Sequence, residues 1–180
     1  MSLSKWRIKR KIGSLSKNIP IIVYKTTDST NTQAKLLAES GRYKNAVLVA
    51  GEQTAGRGRL GRSFISEKKR GLYLSILVGG PLPPDFAISL TTYMSVIASR
   101  VIESLSGTEI KIKWVNDIYA GGKKLSGILT EGKASEDGRS LEYAVVGIGI
   151  NLLKQVFDYR NLVAYLSAAH DGNERSFRRF

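Results

Sequence analysis

The sequence predicts an α+β fold, a mixed or antiparallel sheet flanked by helices that lie mainly on one side of it. Three observations carry this. Apolar runs of strand length are interspersed with two helical patterns. The last three strand-like runs are joined by tight turns, which makes them antiparallel neighbours. The regular strand–helix alternation of a doubly wound parallel sheet is absent.

Taken in order, IPIIVYK (residues 19–25) forms a short strand. TTDSTNTQAKLLAESG (26–41) reads as a helix, with Thr30 and Gln33 at capping-box spacing and Gly41 where a helix stops. NAVLVAGEQ (45–53) is a continuous apolar run, the mark of a buried strand. GLYLSILVGG (71–80) is another strand, and PLPP (81–84) punctuates it. Residues 85–107 are the longest helix, closed by Gly107. EIKIKWVND (109–117) alternates, with Ile110, Ile112 and Trp114 on one side and Lys111 and Lys113 on the other. AGGKK is a turn, LSGILTEG a strand, EDG a second turn, and LEYAVVGIGIN (141–151) a long final strand. FDYRNLVAYLSAA, from Phe157, reads as a helix.

A chain of 180 residues suits one domain. It divides into a basic segment at 1–20, a domain at 21–168 and a basic tail at 169–180. The 42% apolar and 24% charged residues fit an ordinary globular protein. No apolar run nears the roughly 20 residues of a membrane span. The basic N-terminus has no apolar segment behind it, so no secretory signal is expected. With no cysteine there is no disulfide and no thiolate metal site, which fits the cytoplasm. The net charge of +13 attracts polyanions such as nucleic acid, nucleotide phosphates or an acidic protein. The basic residues cluster at both ends, read as solvated termini, and at Arg57, Arg59, Arg62, Lys68, Lys69 and Arg70.

That middle cluster shares EQTAGRGRLGR (52–62) with Gly56, Gly58 and Gly61. Their spacing is that of a dinucleotide loop and nearly that of a P-loop. Both need a helix straight after the loop. RSFISEKKRG follows instead, without helical periodicity and without the Lys of a P-loop. Nucleic acid stays open as a ligand, since arginines contact phosphates on any fold, but no known binding motif is present. The remaining reading is an arginine-bearing loop that orders around an anionic substrate and excludes water.

Three other segments have both an ordinary and a functional reading. DSTN (28–31) is a set of helix caps, or a grip on a polar ligand at a helix N-terminus. Asn116, Asp117 and Lys124 are turn chemistry, or site residues at strand ends. GIGIN (147–151) is close strand packing, or room for a ligand.

In this order, DSTN, GEQTAGRGRLGRSF, LYLSILV, KWVNDIY–GGKKLSGILTE and GIGIN resemble the catalytic domain of biotin protein ligases (biotin–[acetyl-CoA-carboxylase] ligases) over about residues 21–152. The resemblance implies a fold related to class II aminoacyl-tRNA synthetases. It implies that biotin and ATP, with Mg²⁺, give biotinyl-5′-AMP, and that biotin then passes to a lysine of an acidic biotin carboxyl carrier domain. By the family pattern Ser29, Thr30, Asn31 and Gln53 line the biotin pocket, and Arg57, Gly58 and Arg59 form the adenylate loop with Gly56 and Arg62 beside it. Lys124 acts at the carboxylate and α-phosphate, Gly127 lets the ligand lie on the backbone, and Asp117 and Asn151 serve the nucleotide and Mg²⁺. Lys124 and Arg59 are the candidate catalytic residues. His170 falls outside every motif.

The chain departs from the family at Phe64, often Trp, and at Val115, often Pro. No helix-turn-helix precedes the first strand, so no sequence-specific DNA binding is expected. Few residues follow Asn151, where relatives continue into a small β-barrel. The alternative to a ligase is therefore a truncated homologue that binds biotin, its adenylate or another partner without efficient ligation. A homodimer through a sheet edge formed by YAVVGIGI is one expectation; the helix from Phe157 covering that edge is the other.

Overall fold

The computed structural model describes Trp6, Ile8, Arg10 and residues 19–151. The chain runs β1 (Ile21–Tyr24), α1 (Thr30–Glu39), β2 (Asn45–Ala50), β3 (Gly71–Leu82), α2 (Phe86–Ser106), β4 (Ile110–Lys113), β5 (Asp117–Ala120), β6 (Lys123–Ala134) and β7 (Leu141–Asn151). The helix expected from Phe157, His170 and the basic tail lie outside the described residues.

The seven strands form one mixed sheet in the order β1-β2-β3-β7-β6-β5-β4. Only β1 and β2 are parallel; every other pair is antiparallel. Strand β2 is apolar throughout because both faces of the sheet are covered. Val47 and Val49 join Leu90, Met94, Ile97 and Ile102 of α2 in the larger core. Ala46 and Leu48 join Ala34 of α1, Leu77, Tyr143 and Val145 in the smaller one. Successive strand residues point to opposite faces, so each helix covers its own face. This corrects the expectation that the helices share one side. Ile8 is 1% exposed within the larger core, so the basic N-terminal segment is not purely a solvated end.

Other local expectations change for identifiable reasons. The capping box does not form. Ser29 is the N-cap, without a side-chain capping bond, and Thr30 is already helical. Asp28 Oδ1 instead accepts the Ser29 N–H at 2.6 Å and Gln33 Nε2 at 3.0 Å. Helix α1 does end before Gly41, whose φ of 66° suits glycine, and α2 ends at Gly107, φ 65°. β3 continues past PLPP's first proline to Leu82, across an irregularity after Gly79.

The run EIKIKWVND is not one strand. β4 stops at Lys113, Trp114–Asn116 turn, and β5 starts at Asp117. Asn116 enforces the break: its carbonyl accepts the Ile128 N–H at 2.9 Å, and its Nδ2 donates to the Ile128 carbonyl at 3.1 Å. Trp114 is left 75% exposed. The expected five-residue turn shrinks to Gly121 and Gly122, with φ of 55° and 76°, which places Lys123 and Lys124 inside β6.

Strand β7 pairs with β3 on one side and β6 on the other. It is interior to the sheet, so it offers no edge for a dimer; among the described strands β1 and β4 are the edges.

Leu48 is fully buried beneath α1. Leu48→Ala should lower unfolding stability by about 2–5 kcal/mol in a denaturant titration. Ile88→Ala, at a residue 69% exposed, should change it by under about 0.5 kcal/mol.

Candidate functional site

The glycine-arginine loop is a folded flap. The Gln53 N–H donates to the Ser66 carbonyl at 3.0 Å, the Phe64 N–H to Gly56 at 2.8 Å, and the Gly58 N–H to Arg62 at 2.7 Å. Arg59–Gly61 form its tip, with Leu60 and Gly61 at positive φ and Leu60 90% exposed. A side chain on Gly56 would run into the Phe64 carbonyl and Ser66 Oγ, so glycine is needed for the two arms to close. The flap leads into β3, antiparallel to β2, and not into a helix. Neither dinucleotide-loop nor P-loop geometry exists here.

One wall of the site is a chain of buried polar groups. Asn31 Nδ2 donates to Glu131 Oε2 at 2.9 Å and to the Leu129 carbonyl at 3.3 Å. Both partners only accept, which fixes the amide so that Oδ1 takes the Ser75 hydroxyl at 2.6 Å. Ser75 Oγ also lies 2.7 Å from Thr30 Oγ1. The Thr30 N–H donates to Gln53 Oε1 at 2.7 Å, and Gln53 Nε2 donates to Ser66 Oγ at 2.9 Å. Ser29, Thr30 and Asn31 are each under 5% exposed. Asn31 can lie flat on β7 only because residue 147 is glycine; a Cβ there would strike its amide. Gly149 makes the same room for the Phe64 ring.

Charged groups complete the lining, and Glu131 ties Arg57 to the polar network. Lys124 Nζ sits 2.8 Å from Asp117 Oδ1. Their elements are paired strands, and Gly127 lets the Lys124 chain and the Phe64 ring pass over β6. Arg59 Nη1 reaches from the flap tip to Asn116 Oδ1 at 3.1 Å. Arg57 Nη2 lies 3.2 Å from Glu131 Oε1, which also holds Lys35 Nζ at 2.9 Å. Burial raises the Glu131 carboxyl, but hydrogen bonds from Asn31 and Lys35 and the charges of Lys35 and Arg57 outweigh it and hold it below its ordinary value.

These walls enclose a cavity of about 260 Å³. Ser29, Thr30, Asn31, Gln53, Arg57, Gly58, Arg59, Arg62, Asp117, Lys124 and Gly127 all line it. Gly56 and Asn151 do not. Gly56 shapes the flap from behind, and Asn151 is the exposed end of β7, in register with Gly71. Phe64, Asn116, Gly147 and Gly149 also line the cavity. Asn116, Gly147 and Gly149 stood in segments with a functional reading, whereas Phe64 was noted only as a departure from the family. Glu131 gave no signal.

The Glu131 carboxyl is held below its ordinary value of 4.5. Its contribution to stability is therefore present above that pH and lost as pH falls through the lower, folded value. Unfolding stability measured against pH below 4.5 should fall less steeply in Glu131→Gln than in the parent.

Residues 23–151 match the model of a family described as the biotin/lipoate A/B protein ligase family. Among curated relatives, the bifunctional ligase/repressor BirA of Bacillus subtilis (strain 168) is 36% identical over 139 residues, 77% of this chain and 42% of that protein. A biotin–[acetyl-CoA-carboxylase] ligase of Paracoccus denitrificans is 36% identical over 129 residues, 70% of this chain and 52% of the relative. The chain thus spans about half the length of these relatives or less. Among solved structures, the biotin protein ligase of Aquifex aeolicus in complex with biotin and ATP superposes with a TM-score of 0.69 at 28% identity, covering 88% of this chain and 71% of that one. By fold, motif order and sequence, the chain belongs to the biotin/lipoate A/B protein ligase family.

Proposed function

We propose that this chain is a biotin protein ligase, acting in the cytoplasm. It joins biotin to ATP as biotinyl-5′-AMP and passes the biotinyl group to a lysine of an acidic carrier domain. The observation that carries the reading is the polarity of one cavity. A buried polar network of Ser29, Thr30, Asn31 and Gln53 lines it together with the cations of Arg57, Arg59 and Lys124.

In the first step a carboxylate oxygen of biotin attacks the α-phosphorus of ATP. The bond from that phosphorus to the bridging oxygen breaks, and pyrophosphate leaves with the electron pair. In the second step the lysine ε-amine attacks the acyl carbon, AMP departs as its phosphate, and the amine proton is lost. A carboxylate is already a nucleophile, so the first step needs no general base. What it needs is the approach of two anions without water.

The residues suit that task. Ser29, Thr30, Asn31 and Gln53 offer rigid donors and acceptors to the polar end of biotin. Asp117 holds the Lys124 ammonium against the cavity, where it meets the carboxylate and α-phosphate. Arg57 and Arg59 sit on a flap that covers the same space and shields an adenylate from hydrolysis. Arg62, with Gly58, flanks the phosphates.

Among the described residues there is no cluster of three possible metal-binding side chains. Asp117, the carboxylate residue in the lining, would hold a Mg²⁺ arriving with the phosphates, and the ion would supply neutralisation of phosphate charge. Asn151, away from the cavity, does not join it.

Biotin-dependent exchange of labelled pyrophosphate into ATP tests the reading. Exchange should require biotin and Mg²⁺ and fall at least about 100-fold in Lys124→Ala, as when one preorganised charge-stabilising group is removed. Biotin binding without exchange would favour a homologue that binds without ligating; neither binding nor exchange would remove the ligase reading.

A further inference from the structure

Glu131 stands outside the roles given to the cavity residues, yet it joins three separated parts of the chain. Its Oε2 accepts Asn31 Nδ2 of α1. Its Oε1 faces both Lys35 Nζ of α1 at 2.9 Å and Arg57 Nη2 of the flap at 3.2 Å. The side chain is 19% exposed, against 25% for Lys35 and 48% for Arg57. The partners are therefore unequal. Lys35 and Asn31 come from the same helix and are the more buried. Arg57 is the more exposed, and it rides on a flap whose tip is in solvent.

We propose that Glu131 is a positioning residue: through Arg57 it latches the flap over the cavity, and Lys35 sets the strength of the latch by sharing the same carboxylate oxygen. The proposal rests on the reading that the cavity takes an anionic ligand. A phosphate or carboxylate entering beside Arg57 competes with Glu131 for the guanidinium. Once Arg57 turns to the ligand, Lys35 and Asn31 still satisfy the Glu131 carboxylate, so no buried charge is stranded. Without Lys35, release of Arg57 would leave Glu131 with Asn31 alone, and the latch would hold harder. The two basic residues thus pull on the flap in opposite senses.

Those opposite senses give a test that a merely structural ion pair would fail. Amide hydrogen exchange is followed by mass spectrometry in the ligand-free full chain, comparing flap peptides over residues 53–66 with peptides from the core of β7. In Glu131→Gln the flap should exchange about fivefold faster, the size expected for loss of a half-exposed ion pair, with β7 unchanged. In Lys35→Met the flap should exchange more slowly than in the parent, by about twofold. Lys35→Met leaves Glu131 paired with Asn31 and Arg57, so this variant reports even if Glu131→Gln fails to fold. Equal acceleration in flap and β7 in Glu131→Gln, an unchanged flap, or a faster flap in Lys35→Met would each overturn the proposal. Both arms need no ligand, so their failure is distinct from failure of the ligase reading, which pyrophosphate exchange reports.

Discussion

The site depends on the placement of Asn31 against bare backbone. Its amide sits over Gly147, where any Cβ would displace it, and is fixed from three directions by Ser75, the Leu129 carbonyl and Glu131. A buried amide left without such partners would cost about 1–3 kcal/mol. The contacts therefore tie the N-terminus of α1 to β3, β6 and β7 at once. From there the register spreads outward. Thr30 orients Gln53, Gln53 orients Ser66, and Ser66 reaches the Phe64 carbonyl, so the base of the flap is set by the same network that anchors the helix.

The distribution of charge follows from the strands. β5 and β6 are joined by only Gly121 and Gly122, which puts Asp117 and Lys124 on adjacent strands within ion-pair distance. The flap contributes arginines to the same space from the other side of the sheet order. The result is one cavity lined by a hydrogen-bonding network and by the cations of Arg57, Arg59, Arg62 and Lys124. An overall charge of +13 then adds long-range attraction for anions, while the local geometry decides which anion stays.

Much of this was legible in the sequence. β2 and β7 could be read from their unbroken apolar runs, and α2 from its length and closing Gly107. The site was legible as a set of motifs, because glycines and arginines at fixed spacing survive without knowledge of packing. What failed had a local cause in each case. Trp114 prolonged an alternating apolar pattern, and only the bonds from Asn116 to Ile128, on another strand, show why the chain turns there. Gln33 had a nearer partner in Asp28 than the cap the spacing suggested. β7 looked like an edge because an apolar strand reads alike beside one neighbour or between two. Glu131 was invisible because its partners lie far off, Lys35 being 96 positions away.

The central claim is that a carboxylate-bearing ligand enters this cavity with its charge toward Lys124 and the flap arginines. Calorimetric titration of the full chain with biotin, and in parallel with its uncharged methyl ester, measures this directly. Binding of the acid at one site, with at least about tenfold weaker binding of the ester, is predicted from the loss of a charge-assisted contact. Equal affinity for the two, or no binding of biotin by folded protein, would contradict the account.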